Sequence, residues 1–153
     1  MELEYTVTKE LFKEYAYQIR YKSILIGGSI FSLSEIVLGI ILKDWLIILL
    51  SIIVFILVLS IPIIYVKCHF LVNMAYLKDY NKSKLILKNK IILEENNNHL
   101  EYNYSIVKSL KETKNLIVLG LPYKGALLIS KEGMSIKEIN SLIDFIRNKT
   151  SIK

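Results

Sequence analysis

The chain has 153 residues, 53% of them apolar, and a formal net charge of +6. The apolar excess lies in residues 23–66, which leaves room for one small domain and not two. A single cysteine, Cys68, excludes an internal disulfide, and two histidines thirty residues apart, His69 and His99, cannot supply the usual tetrahedral metal set.

In chain order, the first pattern is strand-like. Leu3, Tyr5 and Val7 alternate with Glu2, Glu4 and Thr6. Thr8 then has the chemistry to cap a helix whose Leu11, Phe12, Tyr15 and Ile19 form an amphipathic stripe. Residues 1–22 are thus read as an N-terminal strand and helix, lying at the inner membrane surface or on the following domain.

Residues 23–42 carry one charge, Glu35, and residues 46–66 carry none. At about 1.5 Å per residue each spans about 30 Å, the thickness of a bilayer's hydrocarbon core. Only Lys43, Asp44 and Trp45 lie between them, which predicts an antiparallel transmembrane hairpin with Trp45 at the interface. A cleaved signal peptide is not expected, because acids precede the first segment and no small-residue cleavage site follows it. A buried soluble core would show a polar face, and residues 46–66 have none. Lys and Arg flank the hairpin mainly on the side of the termini, which places both termini in the cytoplasm.

Gly28, Ser32, Glu35 and Gly39 recur at spacings of four, three and four, so they share one face of the first spanning helix. Small residues there permit close packing, either on the second helix or on another membrane protein or a second copy. Glu35 is expected to be protonated or hydrogen-bonded to Ser51, which lies at a similar depth; an ion or partner contact is the functional alternative. Pro62 is expected to kink the second helix.

Residues 67–83 read as a separate juxtamembrane helix. Lys67, Lys78 and Lys82, with Lys84, Lys88 and Lys90, form either a basic surface for anionic headgroups or a simple positive-inside flank. The membrane position accounts for the basic charge without nucleic acid, for which there is no recognised motif.

From residue 84 the pattern turns to strands. Lys84–Glu94, then Leu100, Tyr102 and Tyr104, then Ile106, Val107 and Leu110, then Leu116–Leu119 and Ala126–Ser130 are separated by turn compositions at 95–98 and Thr113–Asn115. Leu121–Gly125 reads as a loop exposing Pro122, Tyr123 and Lys124, a candidate binding loop. Ser135 and Glu138 have capping-box spacing, and Ile139, Leu142, Ile143 and Ile146 make the apolar stripe of a closing helix. The expected fold class is therefore α+β: a transmembrane hairpin, then a small antiparallel β-domain over residues 84–153 with a C-terminal amphipathic helix.

Strands closed by one C-terminal helix resemble pleckstrin-homology-like domains, and the whole order resembles the YcxB-like bacterial family. Tyr5-Thr6-Val7-Thr8-Lys9-Glu10 is similar to that family's opening, and Ile106–Leu119 to its central strands. Ala126–Met134 resembles its signature strand, which usually ends Ile-Pro-Lys-Arg-Ala-Phe. Here Ser130 replaces the proline, Glu132 the arginine and Met134 the phenylalanine, and Tyr104 stands where a tryptophan is usual. Residues 84–153 look short for a full seven-stranded version. The resemblance implies an architecture and no particular activity.

There is no glycine-rich phosphate loop, nucleophile elbow or paired metal motif, so neither catalysis nor a cofactor is expected. The leading expectation is a membrane-anchored module that binds a protein or peptide. The alternative is a self-immunity protein whose hairpin intercepts a bacteriocin or toxin peptide. Lipid binding through the lysines is a third, and a homo-oligomer is compatible with all three.

Overall fold

A computed structural model describes residues 1–74, 82–95 and 98–150. Two compact units emerge, one of Met1–Leu11 with Leu77–Lys153 and one of Phe12–Tyr76. The chain is α+β: two long apolar helices, two antiparallel sheets and a C-terminal helix.

The β-unit is discontinuous in sequence. Strand β1 (Glu2–Thr6) pairs antiparallel with β2 (Lys82–Leu87), from Glu2 opposite Ile86 to Thr6 opposite Lys82. The backbone N–H of Leu87 donates to the Met1 carbonyl at 2.8 Å and extends the ladder. Strands β3 (Ile91–Glu95) and β4 (Asn98–Tyr102) complete a four-stranded sheet in the order β1-β2-β3-β4. Strands β5 (Ser109–Glu112), β6 (Leu116–Gly120) and β7 (Ala126–Ser130) form a second sheet in that order. Strand β1 thus adds a strand from outside residues 84–153. The N-terminal segment and the C-terminal domain, separate in the sequence reading, share one sheet.

Alternation decides which side chains enter the core. Tyr5, Leu85, Leu87 and Ile91 from the first sheet meet Ile117, Leu119, Leu127 and Ile129 from the second. Helix α4 (Ile136–Lys149) adds Leu142, Ile143 and Ile146 to the same cluster. Tyr104 and Val107 also join it. Tyr104 is not in a strand as expected: β4 stops at Tyr102, and Tyr104–Ile106 make a single 3-10 turn. The turn at Thr113 is confirmed by its N–H donating to the Leu116 carbonyl at 2.9 Å. Of the turn expected at 95–98, Glu95 and Asn98 end and begin strands, and residues 96 and 97 lie outside the described residues.

Helix α4 starts where its capping box predicts. The Glu138 N–H donates to Ser135 Oγ at 3.3 Å, and the Ser135 N–H donates to Glu138 Oε2 at 2.8 Å. That backbone bond, with a second from the Ser135 hydroxyl, holds the Glu138 carboxyl below the usual carboxylate range. A carboxylate lowered in the folded state stabilises above its unfolded value, and the contribution is lost as pH falls through the folded one. Ser135→Ala should therefore lower stability by about 1 kcal/mol at neutral pH. The gap to wild type should narrow on acid titration, followed by thermal melting.

The second unit is helical. Helix α1 (Lys9–Tyr15) straddles the division between the units and runs into one π-helical turn, Ala16–Arg20. Its start is capped as expected, Leu11 N–H donating to Thr8 Oγ1 at 3.3 Å. Helix α2 (Lys22–Leu42) and helix α3 (Trp45–Met74) follow. Windows within Lys22–Leu42 and Trp45–His69 are long and apolar enough to cross a membrane, and 11% of each is buried. A soluble core helix would be mostly buried, so these lengths present their apolar side chains outward. Pro62 lies inside α3, which is one helix through that point. The juxtamembrane helix expected at 67–83 is described only in part. Lys67–Met74 continue α3, residues 75–81 lie outside the described residues, and Lys82 already begins β2.

Candidate polar crevice between the long helices

The α2–α3 turn needs only two residues. Lys43 adopts a left-handed conformation (φ 52°), and its N–H donates to the Ile40 carbonyl at 3.2 Å. Asp44 Oδ1 then accepts the N–H of Leu46 at 2.9 Å and caps α3. Trp45 becomes the first residue of α3 and is exposed, as an interfacial anchor would be. So tight a turn fixes the register of the two helices.

That register separates the predicted face into two roles. Gly28 and Gly39 pack on α3: a Cβ on Gly28 would lie 2.8 Å from Val58 Cγ2, and one on Gly39 would lie 2.7 Å from Ile48 Cγ1. Ser32, Glu35 and Ser51 instead line a crevice of about 270 Å³ with Phe31, Ile47, Leu50 and Val54. The four residues predicted from spacing and Ser51, predicted from depth, lie along the α2–α3 contact, the glycines within it and the polar residues beside it.

The expected Glu35–Ser51 hydrogen bond is not formed. Ser51 Oγ donates to the Ile47 carbonyl one turn earlier, at 2.8 Å. For Ser51 that carbonyl is in reach, and the local bond wins over one across the hairpin. Among the described residues Glu35 has no hydrogen bond or ion pair, and the buried Ser32 Oγ has no partner.

Gly28→Leu or Gly39→Leu should loosen the hairpin by about 1–3 kcal/mol, the usual cost of overpacking. Gly27→Leu is the control, because nothing lies within 4 Å of a Cβ there. Unfolding in sodium dodecyl sulfate, followed by helical circular dichroism, should separate the first two from the third.

The described basic residues are divided between the two units. Lys84 pairs with Glu2 across the β1–β2 ladder and holds that carboxyl below its usual range. Lys90 donates to Glu101 Oε2 at 2.7 Å. Lys67 lies in α3, Lys88 is exposed between β2 and β3, Lys82 opens β2, and Lys78 falls outside the described residues. The β-unit also holds a cleft of about 600 Å³ lined by Thr8, Glu10, Glu112, Lys131, Ile136 and Asn140 among others. Of its two lysines, Lys114 and Lys131, the second is engaged, Lys131 Nζ donating to Glu112 Oε1 at 2.6 Å and to the Thr113 carbonyl at 2.5 Å.

The candidate binding loop is a 3-10 turn, Pro122–Lys124. The Leu121 N–H donates to the Gly125 carbonyl at 2.9 Å and closes the loop. Tyr123 sits at φ 56° with its side chain wholly in solvent. A bulky residue in the left-handed region costs about 1–3 kcal/mol and persists only where its surroundings enforce it.

One cluster escaped the sequence reading. The Arg20 guanidinium lies 4.6 Å from the Tyr65 ring centroid and 5.7 Å from that of Tyr21. Phe12 stacks on His69 at 3.9 Å and on Tyr65 at 5.4 Å. The available signal was periodicity: Tyr65 and His69 are four apart, and Phe12 and Tyr15 three apart. The arrangement ties the π-turn to the lower part of α3 by cation–π and stacking contacts.

Residues 86–146 match the family model of YcxB-like proteins. The family resemblance read from Ile106–Leu119 and Ala126–Met134 is thereby shown over this stretch, which runs from β2 into α4. The YcxB-like stretch contains neither long helix. No curated protein and no solved structure matches the chain.

Proposed function

We propose that α2 and α3 cross a bacterial cell membrane as a hairpin with both termini in the cytoplasm. The β-unit is then a pleckstrin-homology-like module that binds a protein or peptide there and catalyses nothing. The connectivity of the first sheet carries this reading. The hairpin is inserted in the connection between β1 and β2, which are hydrogen-bonded neighbours. Both ends of the hairpin therefore return to one sheet, as an even number of crossings requires. The outward apolar side chains of α2 and α3, from Ile24 to Ile64, far exceed the apolar patch of a soluble monomer. The Lys/Arg bias of the flanks favours a cytoplasmic sheet over an external one. Four strands, then three, then a closing helix is the order of a pleckstrin-homology-like fold.

The binding surface is the loop around Tyr123, an aromatic held in strain and exposed. An interface anchor has those properties, whereas a structural tyrosine would be packed. The test is a photo-crosslinking amino acid at position 123 of the full-length protein in its own membrane. A reproducible protein or peptide adduct is expected, and Tyr123→Gly, which relieves the strain, should abolish recovery of that partner. No adduct at position 123, with partner recovery unchanged in Tyr123→Gly, would sink the reading.

A further inference from the structure

The aromatic cluster at the end of the hairpin away from Trp45 is built around a cation. Arg20 Nη1 donates to the Tyr15 hydroxyl at 3.4 Å, and the guanidinium lies 4.6 Å from the Tyr65 ring centroid. The Tyr21 N–H donates to the Ala16 carbonyl at 2.9 Å, five residues back, which makes the π turn that carries Arg20. Such turns are rare and recur at functional sites. A guanidinium offers a ring its flat face, while its N–H donors lie in the plane as a fork that fits a phosphate. Stacking on Tyr65 also restricts the arginine in advance, so less freedom is lost on binding.

Depth and charge say what meets that fork. Tyr65 lies about 30 Å along α3 from Trp45, and Arg20 comes just before α2. In a hairpin that spans the bilayer, both stand where the hydrocarbon core gives way to headgroups. Arg20, Tyr21 and Tyr65 are each partly exposed there. The stretches Phe12–Lys22 and Tyr65–Met74 carry Lys13, Arg20, Lys22 and Lys67 against one acid, Glu14. This end of the helical unit is therefore basic whatever Glu14 pairs with.

We propose that Arg20 anchors a site for one anionic phospholipid, whose phosphate the guanidinium fork holds. Position selects a lipid, because headgroups are the molecules that surround this depth. Charge selects an anionic one. A choline headgroup brings its own ammonium, which competes for the phosphate and is repelled by the surplus of cations. The Tyr65 ring, which would otherwise attract that ammonium, already faces the Arg20 cation. Lys22 and Lys67, exposed at the same end, add a diffuse attraction that any acidic headgroup satisfies.

The inference rests on the membrane reading of the hairpin, and its test separates the two. Full-length protein is released into a native mass spectrometer from nanodiscs of phosphatidylglycerol and phosphatidylcholine in equal amounts. The first lipid retained is expected to be phosphatidylglycerol, preferred by about tenfold, as one charge-assisted contact provides. Arg20→Lys keeps the charge but loses the fork, and should remove the preference at unchanged helical circular dichroism. Lys22→Gln combined with Lys67→Gln should leave it within about twofold. Equal retention of the two lipids by the wild type would overturn the proposal. So would a preference that survives Arg20→Lys, that is lost there only with the helices, or that is lost with the two lysines instead. Displacement of the lipid by glycerol phosphate would assign the site to a soluble phosphate and overturn it too. Release of the chain from membranes by alkaline carbonate would overturn the membrane reading and the inference with it, whereas a carbonate-resistant chain without lipid preference overturns the inference alone.

Discussion

Residues 82–150 expressed alone are expected to aggregate, whereas the same residues joined to Met1–Leu11 through a Gly/Ser linker of about ten residues should fold as a soluble domain. The reason is that β1 is a structural strand of a domain encoded almost wholly after the hairpin. All five residues of β1 pair with β2. Without them β2 becomes a bare edge carrying the wholly buried Leu85 and Leu87, a template for aggregation. Tyr5 also leaves the core, and Leu3 and Val7 leave its margin. A fully buried apolar side chain is worth about 1.5–3 kcal/mol and a partly buried one less. Together the three are a large share of the stability of a small domain, about 5–15 kcal/mol. Amide dispersion in a proton–nitrogen correlation spectrum distinguishes the two polypeptides. A well-dispersed spectrum from residues 82–150 alone would refute the discontinuous domain.

The same strand marks where the sequence stops being readable. Its alternation, Leu3-Thr6 included, is local and plain, but alternation says nothing about which strand is the neighbour. The partner begins at Lys82, on the far side of two helices, and only the folded chain brings them together. Legible features were those whose cause is local. The long apolar runs that became α2 and α3, the capping box of α4 and the continuous apolar run Leu116–Leu119 each carry their own explanation. The end of α3 was misread for the opposite reason. Hydropathy falls at Lys67, but nothing in Lys67–Met74 breaks a helix, so the hydrogen-bond ladder continues past the apolar segment. For the crevice, spacing placed Gly28, Ser32, Glu35 and Gly39 on one face. It could not say that the glycines would close on α3 while the polar residues stayed unengaged, because that depends on the two-residue turn at Lys43 and Asp44.

Leu142→Ala and Ile146→Ala should each cost the β-unit about 2–5 kcal/mol, the range for emptying a buried aliphatic site. Both side chains have no exposure, and both sit where α4 meets the two sheets. That position makes relaxation difficult: strands β2, β3, β6 and β7 line the same cluster and are fixed by their ladders, so the cavity stays open. At about 4–8 °C per kcal/mol for a domain of this size, each substitution should lower the melting temperature by about 8–40 °C. The double substitution should leave the unit unfolded at ambient temperature. Asp144→Ala, on the exposed side of the same helix, should change stability by less than about 0.5 kcal/mol. Hydrogen exchange resolved by segment is the suitable measurement, since it reads β6 and β7 separately from the long helices. The buried cluster takes no residue from α2 or α3 among the described residues. Protection should therefore collapse throughout β1–β7 and α4 while the amides of the hairpin keep theirs. Loss of protection in both places would mean that the two units fold as one cooperative body.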